Sequence, residues 1–135
     1  SMATQLTQSA RVLLVDDDSL NRFVGQKLLV VKGADARLAK NGSEAIHQLQ
    51  EQPFDIVLMD LSLPGMDGYE TTRQIRADDK ISDCPIIALT AHTLGNEQQQ
   101  CFRSGMNDYL TKPYKTDELV NMILKHHHTA TTNIT

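Results

Sequence analysis

Residues 55–70 read DIVLMDLSLPGMDGYE. Four apolar residues, Ile56 to Met59, end on Asp60, and Pro64 and Gly65 then break the chain. A short unbroken apolar run bounded by turn residues suits a strand buried on both faces. A carboxylate delivered by such a strand costs several kcal/mol unless something pairs with it. Asp60 is therefore a helix cap or a binding group, and Asp67 is better placed to cap the helix that follows.

Two further runs of the same kind, Val12 to Val15 and Ile86 to Leu89, make three central parallel strands. Helical patterns lie between them. Leu20, Phe23, Val24, Leu28 and Val31 follow i, i+3, i+4 spacing behind Asp18 or Ser19 as cap, and Gly33 ends that helix. Ala34 to Lys40 is a weaker strand. Ala45, Ile46 and Leu49 form one face of a second helix that stops before Pro53. Tyr69, Thr72 and Ile75 mark a third helix, and a polar fourth runs from about Asn96 to Ser104. Tyr109-Leu110 marks a short fifth strand. After Lys112-Pro113, Thr116 can cap a last helix carrying Leu119, Val120, Ile123 and Leu124. Five strands alternating with five helices make an α/β fold, a doubly wound parallel sheet with right-handed crossovers. Residues 1–9 read as tag or linker, 10–126 as one domain and 127–135 as linker or tail, because small polar residues cannot bury enough apolar area to order themselves.

The net charge of −4 leaves no basic footprint for a phosphate backbone, so direct nucleic-acid binding is not expected. The apolar runs fall far short of the roughly 20 residues of a membrane span. Cys84 and Cys101 lack CxxC spacing and read as free thiols in a reduced, cytoplasmic setting. His126-His127-His128 at the end of the last helix are assigned no metal and no role.

Open parallel sheets bind ligands at the carboxyl ends of their strands. There the sequence puts Asp16-Asp17-Asp18, Asp60, Thr90 and Lys112. Two carboxylates about 4 Å apart repel by roughly 4 kcal/mol at an effective dielectric of 20. Lys112 offsets part of that, and a hard divalent cation with oxygen ligands offsets the rest. Magnesium suits few carboxylates, because it keeps several waters and completes its shell with phosphate oxygens. The chemistry implied is phosphoryl transfer, with a carboxylate as covalent acceptor.

The stretches VDDDSLNR, DIVLMDLSLPGMDGYE, IIALTAH and NDYLTKPY, in this order and spacing, resemble the response-regulator receiver domain of two-component signalling over about residues 10 to 126. The resemblance implies the flavodoxin-like strand order 2-1-3-4-5. It implies that Asp60 accepts a phosphoryl group from a phosphohistidine-bearing kinase or phosphotransfer domain. Mg2+ would be held by Asp17, Asp60 and the Ser62 carbonyl, with Asp16 acting through water. Lys112 would pair with Asp60 and the phosphoryl oxygens. Thr90 and Tyr109 would form the switch, and Ser62 and His92 would tune the phosphoryl lifetime. The Lys112-Pro113 bond would be cis. Output and dimerisation would use the fourth helix, fifth strand and fifth helix. LTAHT and CFRSGMNDYLTKP resemble receivers of hybrid sensor histidine kinases, whose parent chain would be anchored in the inner membrane. A stand-alone single-domain regulator is the alternative. An aspartate-nucleophile phosphatase fits poorly, since Asp60 is followed by Leu61-Ser62 rather than a second acid. A flavin binder fits no better, since three acids would repel its phosphate.

Overall fold

The computed structural model describes residues 10–91 and 95–132. Strands β1 (Arg11–Val15), β2 (Asp35–Ala39), β3 (Ile56–Asp60), β4 (Ile86–Thr90) and β5 (Asp108–Thr111) alternate with helices α1 (Ser19–Val31), α2 (Gly42–Glu51), α3 (Gly68–Ala77), α4 (Gly95–Ser104) and α5 (Thr116–Thr132). All the pairings are parallel, in the order β2-β1-β3-β4-β5. Every residue of β3 and β4 is buried, which is why those strands are apolar without alternation.

Successive side chains of each strand point to opposite faces, and the core divides accordingly. Leu13, Val15, Val57, Met59 and Ala88 meet Ala45, Leu49, Ile75 and Cys101 of α2, α3 and α4. Val12, Leu14, Ile56, Leu58, Ile87 and Leu89 meet Leu29, Leu119 and Ile123 of α1 and α5. No helix among the described residues is long and apolar enough to cross a membrane.

Helices α1 and α3 begin at caps read from the sequence, and α2 at one, Asn41, that was not. Asp18, Asn41 and Asp67 cap α1, α2 and α3 through side-chain oxygens that accept backbone N–H bonds. Gly33, at φ 94°, closes α1 with its own N–H bonded to Val30 O and that of Ala34 to Leu29 O, a left-handed cap that a side chain would strain. At α5 the cap lies one residue earlier than Thr116, since Lys115 O accepts the Leu119 N–H.

Helix α1 forms where its spacing predicts, but it buries a different face. Leu20 and Val31 are 66% and 74% exposed, Phe23 and Val24 are also exposed, and Gly25 and Leu29 face the sheet. The reason is close approach: a Cβ built on Gly25 would lie 2.5 Å from Leu14 Cδ2. A glycine adds nothing to an apolar count, so the stripe that packs closest to β1 is the one the sequence hides. Helix α5 also departs from expectation. It runs through Thr132, so residues 127–132, read from sequence as linker or tail, continue the helix. His126 Nε2 and Lys125 Nζ each lie 2.9 Å from Asp108 Oδ2, and His127 Nδ1 lies 3.8 Å from Asp55 Oδ1, which anchors the helix to the amino ends of β5 and β3. Burial alone would raise the Asp108 carboxyl, but the bonds from His126 and Lys125 hold it below the ordinary carboxylate range.

Candidate functional site

The register sets the site. Val15 pairs with Met59, Asp60 with Leu89, and Thr90 with Thr111, so Asp16, Asp60, Thr90 and Lys112 emerge along one edge of the sheet. The fold brings three carboxylates together: Asp16, Asp17 and Asp60 each offer an oxygen within 4.8 Å of the others. Asp16 is 3% exposed and Asp60 7%, whereas Asp17 is exposed. Asp18, third in the acidic run, caps α1 instead.

Lys112 Nζ lies 3.2 Å from Asp60 Oδ2 and 3.5 Å from Asp16 Oδ2. The other oxygens accept backbone donors: Ser62 N–H donates to Asp60 Oδ1 at 2.9 Å, and Asp18 N–H to Asp16 Oδ1 at 2.9 Å. Burial pushes the Asp16 carboxyl up, and the Asp60 charge reinforces this against the pull of the Asp18 N–H and Lys112. Burial alone would lower the Lys112 ammonium, but Asp60 and Asp16 outweigh it and leave it raised. Three carboxylates and one ammonium leave two net negative charges on hard oxygen donors open to solvent at Asp17, a donor set that fits a hard divalent cation.

The loop after β3 is tightly built. Gly65 has φ 73° and turns the chain after Pro64. Gly68 matters for space rather than backbone strain: a Cβ there would lie 2.6 Å from Asp60 O and 3.0 Å from Leu61 Cα. Lys112 N–H donates to Thr90 O at 2.8 Å, and the Lys112–Pro113 bond is cis. Thr90 is buried. Tyr109 is half-buried on β5, its ring edge-on to Phe102 at 6.2 Å between centroids. His92 lies outside the described residues.

The response regulator receiver domain family matches residues 12–124. The chain belongs to this family. Among curated proteins, the receiver domain resembles Sensor protein GacS of Pseudomonas syringae, 43% identical over 122 residues that cover 88% of this chain and 14% of that protein. It thus spans about one seventh of that relative's length. Among solved structures it resembles the receiver domain of sensor histidine kinase PA1611 of Pseudomonas aeruginosa, crystallised with a magnesium ion in its active-site cleft (TM-score 0.82, 39% identity, 88% of this chain and 98% of that one). It also resembles one chain of the co-crystal structure of the Saccharomyces cerevisiae histidine phosphotransfer protein Ypd1 and the receiver domain of Ssk1 (TM-score 0.83, 30% identity, 92% of each of the two chains compared). The receiver is related to those of hybrid sensor histidine kinases and belongs to two-component phosphorelay signalling.

Several residues at the site carry no legible sequence signal. Arg22 Nη1 donates to Asp16 O at 2.8 Å. Tyr114, its phenol raised by burial, lines a groove of about 460 Å³ with Asp16, Leu20, Val24, Leu28 and Pro113. The groove joins the exposed stripe of α1 to the acidic pocket. Only a count of apolar residues on both sides of α1 hints at it. Cys84 and Cys101 are free thiols, as their spacing implies, and burial pushes Cys84 up to about 12.

Proposed function

We propose that Asp60 is the phosphoacceptor of this receiver and that Mg2+ is held by Asp17, Asp60 and the Ser62 carbonyl, with Asp16 acting through water. The observation that carries the reading is the charge arrangement: three carboxylates share one pocket, and Lys112 bridges the two buried ones. An Asp60 carboxylate oxygen attacks phosphorus, the bond to the donor imidazole breaks, and the electron pair stays with that nitrogen. A bound magnesium ion would neutralise charge on the phosphoryl oxygens. Lys112 holds Asp60 oriented and offers its ammonium to those same oxygens. Thr90 and Tyr109 then respond to contacts that exist only with the phosphoryl present, which is the condition for shifting a two-state equilibrium.

The donor is a phosphohistidine on a kinase or phosphotransfer domain. The exposed stripe of Leu20, Phe23, Val24 and Val31, which leads into the groove ending at Asp16 and Lys112, supports α1 as the face on which it docks. The α4, β5 and α5 surface carries the output and any dimer contact. The functional unit runs from residue 10 through α5, as one segment of a hybrid sensor histidine kinase. Ser62 and His92 offer attacking water no acid or amide, so the phosphoryl group is moderately long-lived; a half-life of seconds in the isolated domain contradicts this.

Beryllofluoride tests the site. With Mg2+ present, 19F NMR should show protein-bound fluoride resonances in the unmodified chain and none in Asp60→Asn. Bound resonances of equal intensity in both would overturn the assignment.

A further inference from the structure

Asp16 and Asp17 face the pocket from one short turn between β1 and α1, and the peptide that joins them is held from two sides. The Asp16 N–H donates to Ala39 O at 3.1 Å, fixing the entry to the turn. Arg22 Nη1, one turn into α1, donates to Asp16 O at 2.8 Å, fixing the peptide plane that leads into Asp17. The Asp16 carboxylate has holds of its own, from the Asp18 N–H and Lys112. Asp17 is exposed, and among the described residues no hydrogen bond or ion pair to its carboxylate is recorded. The backbone therefore fixes the Cα–Cβ bond from which that carboxylate reaches towards the pocket. Rotating the Asp16–Asp17 peptide would shift that bond relative to Asp60 and so change the spacing of the carboxylates, now within 4.8 Å of one another.

We propose that Arg22 is a positioning residue for the cation site, acting through the Asp16 carbonyl to aim the Asp17 carboxylate. The inference rests on the magnesium reading above. Its action is geometric: Arg22 bonds the backbone carbonyl of Asp16, whereas Lys112 bonds the carboxylates. A guanidinium suits the task because its planar fork is pre-organised, so less freedom is lost per hydrogen bond formed.

The test is a Mg2+ titration of the full chain followed by amide chemical shifts, comparing the unmodified protein with Arg22→Met, Arg22→Lys and Arg73→Ala. Arg22→Met keeps the aliphatic stem and removes the donors. It should weaken Mg2+ binding about tenfold, the low end of what outer-shell partners contribute. Arg22→Lys, whose ammonium can donate to the same carbonyl, should recover most of that. Arg73→Ala removes an equal charge from an exposed pair with Glu70 and should leave the affinity unchanged. Labelling of Arg22→Met by acetyl phosphate should return to the unmodified rate at saturating Mg2+, and the same amide spectra report folding. Equal affinity in Arg22→Met and the unmodified chain overturns the inference, as does an equal loss in Arg73→Ala or labelling that stays low at saturation. If the unmodified chain shows no Mg2+-dependent shifts at Asp17 and Asp60, the magnesium reading itself fails, and this inference with it.

Discussion

Replacing Lys112 with methionine leaves the pocket with three carboxylates and no cation, and its cost can be worked from the distances. At 3.2 and 3.5 Å, the ammonium attracts each buried carboxylate by about 5 kcal/mol at an effective dielectric of 20. Carboxylate oxygens within 4.8 Å of one another repel by about 3.5 kcal/mol per pair on the same scale. The attraction is discounted because the Lys112 side chain is 29% exposed, and removing the ammonium also removes its own desolvation cost. Breaking a fully buried pair costs roughly 3–5 kcal/mol, so about 2–3 kcal/mol is expected here. The assay is urea denaturation near neutral pH in EDTA, then with Mg2+. The variant should lose midpoint in EDTA and recover more than the unmodified protein when Mg2+ is added, since saturation to 100 times Kd contributes about 2.7 kcal/mol. In an Asp16→Asn background the same substitution should cost clearly less. A Lys112→Met protein as stable as the original in EDTA, or a loss unchanged by Asp16→Asn, would refute the charge balance.

Other substitutions probe separate parts of the account. Because the folded Asp16 carboxyl is raised, chiefly by burial, its ionisation penalises the native state above its folded pKa and not below its unfolded one. Asp16→Asn should therefore raise the urea midpoint in EDTA at neutral pH, with the gain vanishing as pH falls towards about 4; a gain that persists in acid would contradict the linkage. Arg76 donates to Gly105 O, Ser82 O, Cys84 O and Asn107 Oδ1 at 2.7–2.8 Å, tying α3 to the starts of β4 and β5. Arg76→Ala should cost about 3 kcal/mol or more in chemical denaturation, and a loss under 1 kcal/mol would remove it as a clamp. Gly68→Ala places a methyl against Asp60 O and should cost about 1–3 kcal/mol while slowing acetyl phosphate labelling; unchanged labelling would mean the β3 loop yields freely.

The sheet was legible because its strands are buried on both faces: Ile56–Met59 and Ile86–Leu89 could be little else, and the turn after Asp60 bounds the first of them. The pocket was legible because four strand ends carry charged or hydroxyl groups, and a parallel sheet aligns such ends. What stayed hidden depends on close packing. Gly25 sets the buried face of α1 by admitting Leu14, and Arg22 acts on a backbone carbonyl, which no residue pattern records. His126 and His127 prolong α5 through Asp108 and Asp55, partners 18 and 72 positions back in the chain.

Acetyl phosphate labelling measured by intact mass and peptide mapping tests the central claim most directly. The account predicts one added phosphoryl group per chain, dependent on Mg2+, mapped to the peptide containing Asp60 and absent from Asp60→Asn. Equal labelling of Asp60→Asn, or a phosphoryl group mapped to another residue of the unmodified chain, would contradict it.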